Sequence, residues 1–158
     1  MKNLKKIKFS LVLAMLFVLT TSSTCSTDDN GPNQSANNPA AVVNIVNNGT
    51  WRITYYYDTD TDETTSFTGY NFTFGANNVL TALNGTTTYT GAWSVTDTNS
   101  SNDDSISDLD FNIDFSSPAQ FLELSDDWEI IEKSTTVIKL KDVSGGNGGT
   151  DYLTFTKN

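Results

Sequence analysis

The feature that most constrains the fold is a strict alternation of apolar and polar side chains over residues 107–115, SDLDFNIDF. The apolar set is Leu109, Phe111, Ile113 and Phe115, and the polar set is Asp108, Asp110, Asn112 and Asp114. Successive side chains of a strand point to opposite faces, so a period of two separates the two sets. The stretch therefore predicts a half-buried antiparallel strand with one face in water.

The same period recurs along the chain, between turn signals such as Asn77-Asn78 and Asn84-Gly85. It predicts eight strands, at residues 50–58, 66–74, 78–83, 86–96, 106–115, 127–133, 135–142 and 150–157. Eight sequential strands joined by short turns favour an all-β, up-and-down antiparallel sheet, and closing that sheet into a barrel removes its edges. A sandwich of two sheets is the alternative that the pattern leaves open.

Two short helices are predicted beside the strands. Asn38 is a suitable N-cap for a helix whose first residue is Pro39. Further along, Ser117 and Gln120 have the spacing of a capping box. That spacing predicts a short helical plug near residues 118–124.

The N-terminal residues 1–24 have the pattern of a secretory signal peptide, with four lysines followed by an apolar run at 9–19. The run has eleven residues, whereas a membrane-spanning helix needs about 20. The single cysteine, Cys25, follows small polar residues, and its position resembles the lipobox of bacterial lipoproteins. The resemblance implies a diacylglyceryl group on the Cys25 thiol after cleavage. Ordinary cleavage that leaves a free thiol is the alternative.

Residues 25–38 are rich in Asn, Ser and Asp and contain Gly31 and Pro32, which predicts a flexible tether ahead of a domain at 39–158. The first residues after Cys25, STDDN, resemble the acidic export tag of surface lipoproteins in the Bacteroidota. That resemblance implies a lipid-anchored protein of the outer membrane that faces the cell surface.

The charge of the mature chain excludes some partners. Residues 25–158 keep five of the nine bases and all nineteen acids, which gives a net charge of −14. A field of this sign repels nucleic acids and anionic lipid headgroups. We therefore expect no nucleic-acid partner.

Several short segments resemble those of known protein families. Gly49-Thr50-Trp51 resembles the G-x-W signature that opens the lipocalins, and Gly91-Ala92-Trp93 and residues 121–128 and 140–155 resemble segments of the lipocalin-like lipoproteins of flavobacteria. The resemblance covers about 49–157. It implies a lipocalin-like eight-stranded barrel in a family whose members are mostly without known function.

Aromatic side chains on the predicted inward faces are the candidate lining of a ligand pocket: Trp51, Tyr55, Tyr57, Tyr70, Phe72, Phe74, Tyr89 and Trp93. One interpretation is a pocket for a small lipophilic or aromatic molecule. The other is an ordinary filled core, which is the commoner use of such residues.

Catalysis, metal binding and covalent modification are the other kinds of site considered from the sequence. The chain has no histidine, and we expect neither an enzyme nor a cofactor. Asp58, Asp60 and Asp62 alternate in one predicted loop and are a calcium candidate, although a solvated hairpin tip explains them as well. Asp104-Ser105-Ile106 resembles the O-glycan acceptor of Bacteroidota, which makes Ser105 a candidate modification site.

The sequence thus predicts a monomeric barrel domain held at a membrane by an N-terminal lipid. The leading functional hypothesis is a non-enzymatic binding module for a small lipophilic or aromatic molecule. The alternative is a surface interaction module with a filled core and no ligand. A third is a calcium-dependent or carbohydrate-contacting adhesin module.

Overall fold

The structure is a computed structural model that describes residues 38–97, 106–143 and 148–158. The predicted signal peptide, Cys25 with the tether as far as residue 37, and Ser105 lie outside these ranges. The described residues form nine strands: β1 (Trp51–Asp58), β2 (Thr61–Asp62), β3 (Asn71–Phe74), β4 (Val79–Asn84), β5 (Thr87–Asp97), β6 (Leu109–Asp114), β7 (Asp126–Lys133), β8 (Val137–Val143) and β9 (Thr150–Lys157). Helix α1 (Pro39–Val46) precedes β1, and α2 (Ala119–Leu122) connects β6 to β7.

Strand β1 and strands β3 to β9 form a closed antiparallel barrel of eight strands. Each of them pairs with the next, and β9 pairs with β1 to close the barrel. The two-residue β2 extends β1 by pairing with its end, whereas β1 meets β3 where Trp51 lies opposite Phe72. The predicted eight-stranded up-and-down barrel is confirmed, and the two-sheet alternative is wrong.

Two predicted strands begin too early. Residues 64–67 form a 3₁₀ turn that buries Phe67, so β3 starts at Asn71 and not at residue 66. A second 3₁₀ turn, Ile106–Asp108, precedes β6. The alternation within β6 is as predicted, because its apolar residues Leu109, Phe111 and Ile113 are all buried.

A bulge in β1 overturns the predicted direction of two tyrosines. The register with β9 shifts between Ile53 and Tyr55, so Tyr56 pairs with Leu153 on the inward face. Tyr56 is 1% exposed, whereas Tyr55 is 40% exposed. Because the bulge inserts one extra residue, Tyr55 and Tyr57 lie on the outer face.

Helix α1 begins as predicted. The Asn38 side chain accepts a hydrogen bond from the Ala41 N–H at 2.9 Å, and Pro39 stands in the first turn. The helix packs Val42 and Val46 into the core. It lies directly before β1 and therefore at the end of the barrel where β1 begins.

The predicted capping box before α2 is wrong. Pro118 has an extended backbone and occupies the N-cap position, so the helix begins after it and Ser117 makes no cap. Gln120 instead donates its side-chain N–H to the backbone oxygen of Ser66. Strand β7 runs antiparallel to β1, because β1 pairs with β9, β9 with β8 and β8 with β7, each time antiparallel. It therefore begins at the end of the barrel where β1 ends, and α2, which leads into β7, lies at that end, opposite α1. Neither helix of the described ranges is long and apolar enough to cross a membrane.

Candidate functional site

The barrel interior is the first candidate site, because the sequence places aromatic residues there. Trp51, Phe72, Phe74 and Trp93 point inward and are at most 5% exposed. Tyr70 and Tyr89 are half-buried and pack against the core from its margin. Tyr55 and Tyr57 lie outside, as the bulge requires. The structure therefore brings six of the eight predicted lining residues to one hydrophobic core.

Phe121 of α2 is fully buried and lies among other aromatic rings at the end of the barrel opposite α1. Its ring centroid lies 4.9 Å from Tyr89 and 5.0 Å from Phe115. It also packs against Phe67, Tyr70 and Phe72 at 5.4, 5.1 and 6.1 Å. These separations are typical of aromatic rings in direct contact. The helical plug predicted from the sequence therefore fills this end of the barrel with a ring.

The middle of the barrel is packed in the same way. The Phe74 ring lies 5.3 Å from Trp93, 5.3 Å from Phe111 and 5.3 Å from Phe155. All three contacts are edge-to-face. Aromatic rings therefore pack against one another where a hollow barrel would hold its ligand.

The polar atoms of the interior already have partners. Trp51 Nε1 donates to the Val46 carbonyl at 2.9 Å, and Trp128 Nε1 donates to the Leu124 carbonyl at 3.0 Å. Within the described ranges, no buried side-chain nitrogen or oxygen lacks a hydrogen bond. A ligand pocket normally offers a few convergent polar groups that fix the ligand's orientation. The groups suited to that task are used here to hold the two helices on the ends of the barrel.

Tyr56 is an interior residue that sequence reasoning missed. Its hydroxyl donates to the Glu123 carbonyl at 2.9 Å, which connects β1 to the segment after α2. Burial, together with the nearby carboxylates of Asp58 and Glu123, raises the pKa of the Tyr56 hydroxyl above its usual range. The hydroxyl is therefore a structural donor. The aromatic run at 55–57 was the available signal, but alternation alone favoured the wrong members of it.

The predicted calcium loop is a hairpin tip whose carboxylates serve local hydrogen bonds. The Asp62 carboxylate accepts from the Thr64 N–H at 3.0 Å, and these interactions with Thr64 lower the Asp62 pKa. The Asp60 carboxylate accepts from the Thr61 hydroxyl at 2.9 Å. Asp58 does not converge with either of them into a group of metal-ligand geometry in the described chain.

A different acidic group lies where β7 begins and β8 ends. Ligand atoms of Asp126, Asp127 and Asp142 all lie within 4.8 Å of one another. Burial, followed by the hydrogen bond and charge of Asp127 and the charge of Asp142, raises the pKa of Asp126 to about 6. A nearby negative charge disfavours the ionised form of a carboxyl group, so these neighbours add to the effect of burial on Asp126. The group therefore marks this end of the barrel as strongly acidic.

The outer wall carries an aromatic pair produced by the bulge. The rings of Tyr55 and Tyr57 are parallel within 10° and 6.2 Å apart. Tyr152 lies opposite Tyr57 on β9 and is 37% exposed. Lys139 and Lys141 of the neighbouring β8 are engaged by Glu132 and Glu129 at 2.6 and 3.0 Å.

Comparison with known proteins adds one structural neighbour. The barrel is similar to the crystal structure of a DUF4847 family protein from Bacteroides vulgatus, with 18% sequence identity and a TM-score of 0.48. The alignment covers 74% of this chain and 97% of that chain. The sequence matches no protein-family model and no curated protein. At this level of identity, no residue role is transferred from the neighbour to this chain.

Proposed function

We propose that the protein is a lipid-anchored, non-enzymatic interaction module of the outer membrane that acts through its outer surface. The observation that carries the proposal is the aromatic cluster around Phe121, which occupies the space that a carrier barrel leaves for its ligand. The sequence resemblance to lipocalin-like lipoproteins supports the architecture of barrel and anchor. The packed interior favours the hypothesis of a filled core over that of a carrier.

The energetic argument starts from packing density. Protein interiors are packed like organic crystals, and a side chain in contact on all sides leaves no room for a guest. A small molecule could enter here only by displacing Phe121 or its neighbours, which would expose apolar rings to water. The carrier hypothesis therefore requires α2 to leave the barrel. That movement would also break the hydrogen bond that the Tyr56 hydroxyl donates to the Glu123 carbonyl at 2.9 Å.

The charge distribution supports a defined orientation on the membrane. The tether precedes α1, and the opposite end of the barrel carries a group of acidic residues: Asp58, Asp60, Asp62, Glu63, Glu123, Asp126, Asp127, Asp142 and Asp151. Three of the five bases, Arg52, Lys133 and Lys157, lie at strand ends on the α1 side. Anionic lipid headgroups repel the acidic end. The domain would therefore stand with its acidic end away from the membrane and towards its surroundings.

Native mass spectrometry of the protein purified from its native host tests the filled core. We expect the mass of the lipidated monomer with no further adduct. A stoichiometric small molecule that is lost on denaturation, while the covalent lipid stays, would show a carrier and refute the proposal.

Cys25→Ser tests the anchor in the same host. We expect the variant in the soluble fraction, with Ser26→Ala as the matched control that stays with the outer membrane. A Cys25→Ser protein that still sediments with membranes would contradict lipid anchoring.

Protease treatment of intact cells tests which face of the outer membrane carries the domain. A surface-exposed domain is digested without lysis of the cells.

A further inference from the structure

Two shallow depressions adjoin each other on the outer wall, beside the turn at residues 75–78. Their volumes are about 160 and about 190 Å³, and Asn78, Trp93 and Ser94 line both of them. We call the two depressions together the asparagine cleft. It lies where β5 stops pairing with β4, at Val79 and Ala92, and continues beside β6 alone.

The cleft collects polar side chains from four separate parts of the chain. They are Asn47 after α1, Asn77 and Asn78 in the turn, Ser94 of β5, and Asn112 and Asp114 of β6. Small apolar surfaces of Val43 and Ala92 lie between them. No lysine or arginine lines either depression in the described chain. The lining is therefore rich in amides and lacks positive charge.

These amides have unused hydrogen-bonding capacity. Asn47, Asn77 and Asn78 make no side-chain hydrogen bond to any other residue of the described ranges, and all three are exposed. Asn112 donates its amide N–H to the Thr96 hydroxyl at 3.0 Å, which orients the group and leaves its carbonyl oxygen available. Each free amide offers two donors and an acceptor with two lone pairs.

The turn requires positive φ at two successive positions. Asn77 and Asn78 have φ of 57° and 62°. Glycine adopts this region without steric cost, and asparagine is among the few residues with a side chain that enter it readily. The turn therefore places two amide side chains next to each other in the lining of the cleft.

We propose that the asparagine cleft binds a neutral saccharide, with one sugar ring in each depression. Sugar hydroxyls both donate and accept, which matches the mixed capacity of the amides. The net charge of −14 for residues 25–158 and the carboxylate of Asp114 disfavour an anionic ligand. The depressions are too shallow and open to enclose a lipophilic one. This inference rests on the proposed role of the outer surface and names the class of partner for it.

The test is a titration of the isotopically labelled full chain in detergent micelles, followed by amide NMR shifts. The probes are maltohexaose, laminarihexaose, mannohexaose and chitohexaose, each to about 10 mM, with tetragalacturonate as the acidic comparison. We expect at least one neutral probe to shift the signals of Asn78, Ser94 and Asn112, and the acidic probe to bind more weakly. If no neutral probe binds, or if the shifts fall elsewhere, for example at Tyr55 and Tyr57, the assignment of the cleft is overturned.

Variants separate the amides from the fold. Asn78→Gly removes the side chain, and glycine adopts the same positive φ without steric cost. The turn should therefore persist while the affinity for the saccharide falls about tenfold. Asn112→Ala should weaken binding similarly. Asn84→Ala, at the other end of β4, is the matched control and should bind as the wild type does. Equal affinity in Asn78→Gly and wild type would refute the cleft. The packed interior is measured separately by mass spectrometry, so failure here leaves that result unaffected.

Discussion

Replacing Phe121 by alanine measures how much of the stability depends on the plug. The Phe121 ring is fully buried and packed against other rings on several sides. Losing it forfeits roughly 2 kcal/mol of apolar transfer. A phenyl-sized void of roughly 90 Å³ costs roughly another 2 kcal/mol at about 24 cal/mol per Å³, because the surrounding rings cannot collapse fully. We expect Phe121→Ala to lower the free energy of unfolding by about 4 kcal/mol.

The assay is urea denaturation followed by tryptophan fluorescence, with thermal melting as a second readout. A loss of this size corresponds to a melting temperature lower by about 10–20 °C. Leu122→Ala is the matched control, because Leu122 is in the same helix and 47% exposed, and it should cost under about 0.5 kcal/mol. If both variants cost under about 1 kcal/mol, α2 is a loose lid and the argument for a filled core fails.

Two further predictions concern single contacts. A Cβ on Gly91 would lie 2.7 Å from Phe115 Cδ1, so Gly91→Ala should cost about 1–3 kcal/mol in urea denaturation, and a change within error of zero would contradict the packing of β5 against β6. The raised pKa of Asp126, about 6 through burial and the carboxylates of Asp127 and Asp142, means that the native state holds this proton more tightly than the unfolded chain does. The contribution of Asp126 to the free energy of unfolding therefore falls as the pH rises from about 4 through 6. In Asp126→Asn, the melting temperature should depend less on pH between those two values. An unchanged pH profile would show that Asp126 is not the responsible group.

Local sequence rules predicted the barrel because each strand carries its own signal. The alternation in β6 specifies its buried face without reference to any other strand, and Asn38 specifies the start of α1 in the same local way. The strand faces and the helix start depend on short stretches of chain and are therefore readable from sequence. Closure is favoured by the strand pattern because it removes the edges of the sheet, but the pairing of β9 with β1 is what decides against the two-sheet sandwich.

The parts that sequence missed depend on distant partners. The bulge between Ile53 and Tyr55 exists only in the register with β9, about a hundred residues away. Pattern alone therefore placed Tyr55 inside and Tyr56 outside. The burial of Phe67 likewise depends on its contact with Phe121 at 5.4 Å, which no window of adjacent residues contains.

The asparagine cleft shows the same limit for function. The pair Asn77-Asn78 was visible as a turn, and the turn is present. Asn47, which follows α1, and Asn112 of β6 also line the cleft, although both are distant from the turn in sequence. Only their convergence distinguishes a binding surface from isolated polar residues. A single sequence does not show that convergence.

The pairing of β9 with β1 has a consequence for the order in which the barrel can form. The C-terminal Asn158 donates its side-chain amide to Thr50 at 3.0 Å and to Asn71 at 2.7 Å, across 108 and 87 residues. Hairpins from β3 to β8 can form locally, but β1 and β8 keep open edges until β9 docks between them. Such late, non-local contacts slow folding, and open edges pair with other chains. Exchange of β9 between two copies would satisfy the same hydrogen bonds. The strand that leaves the finished barrel without an edge is therefore also the one whose delay exposes the chain to swapping and aggregation.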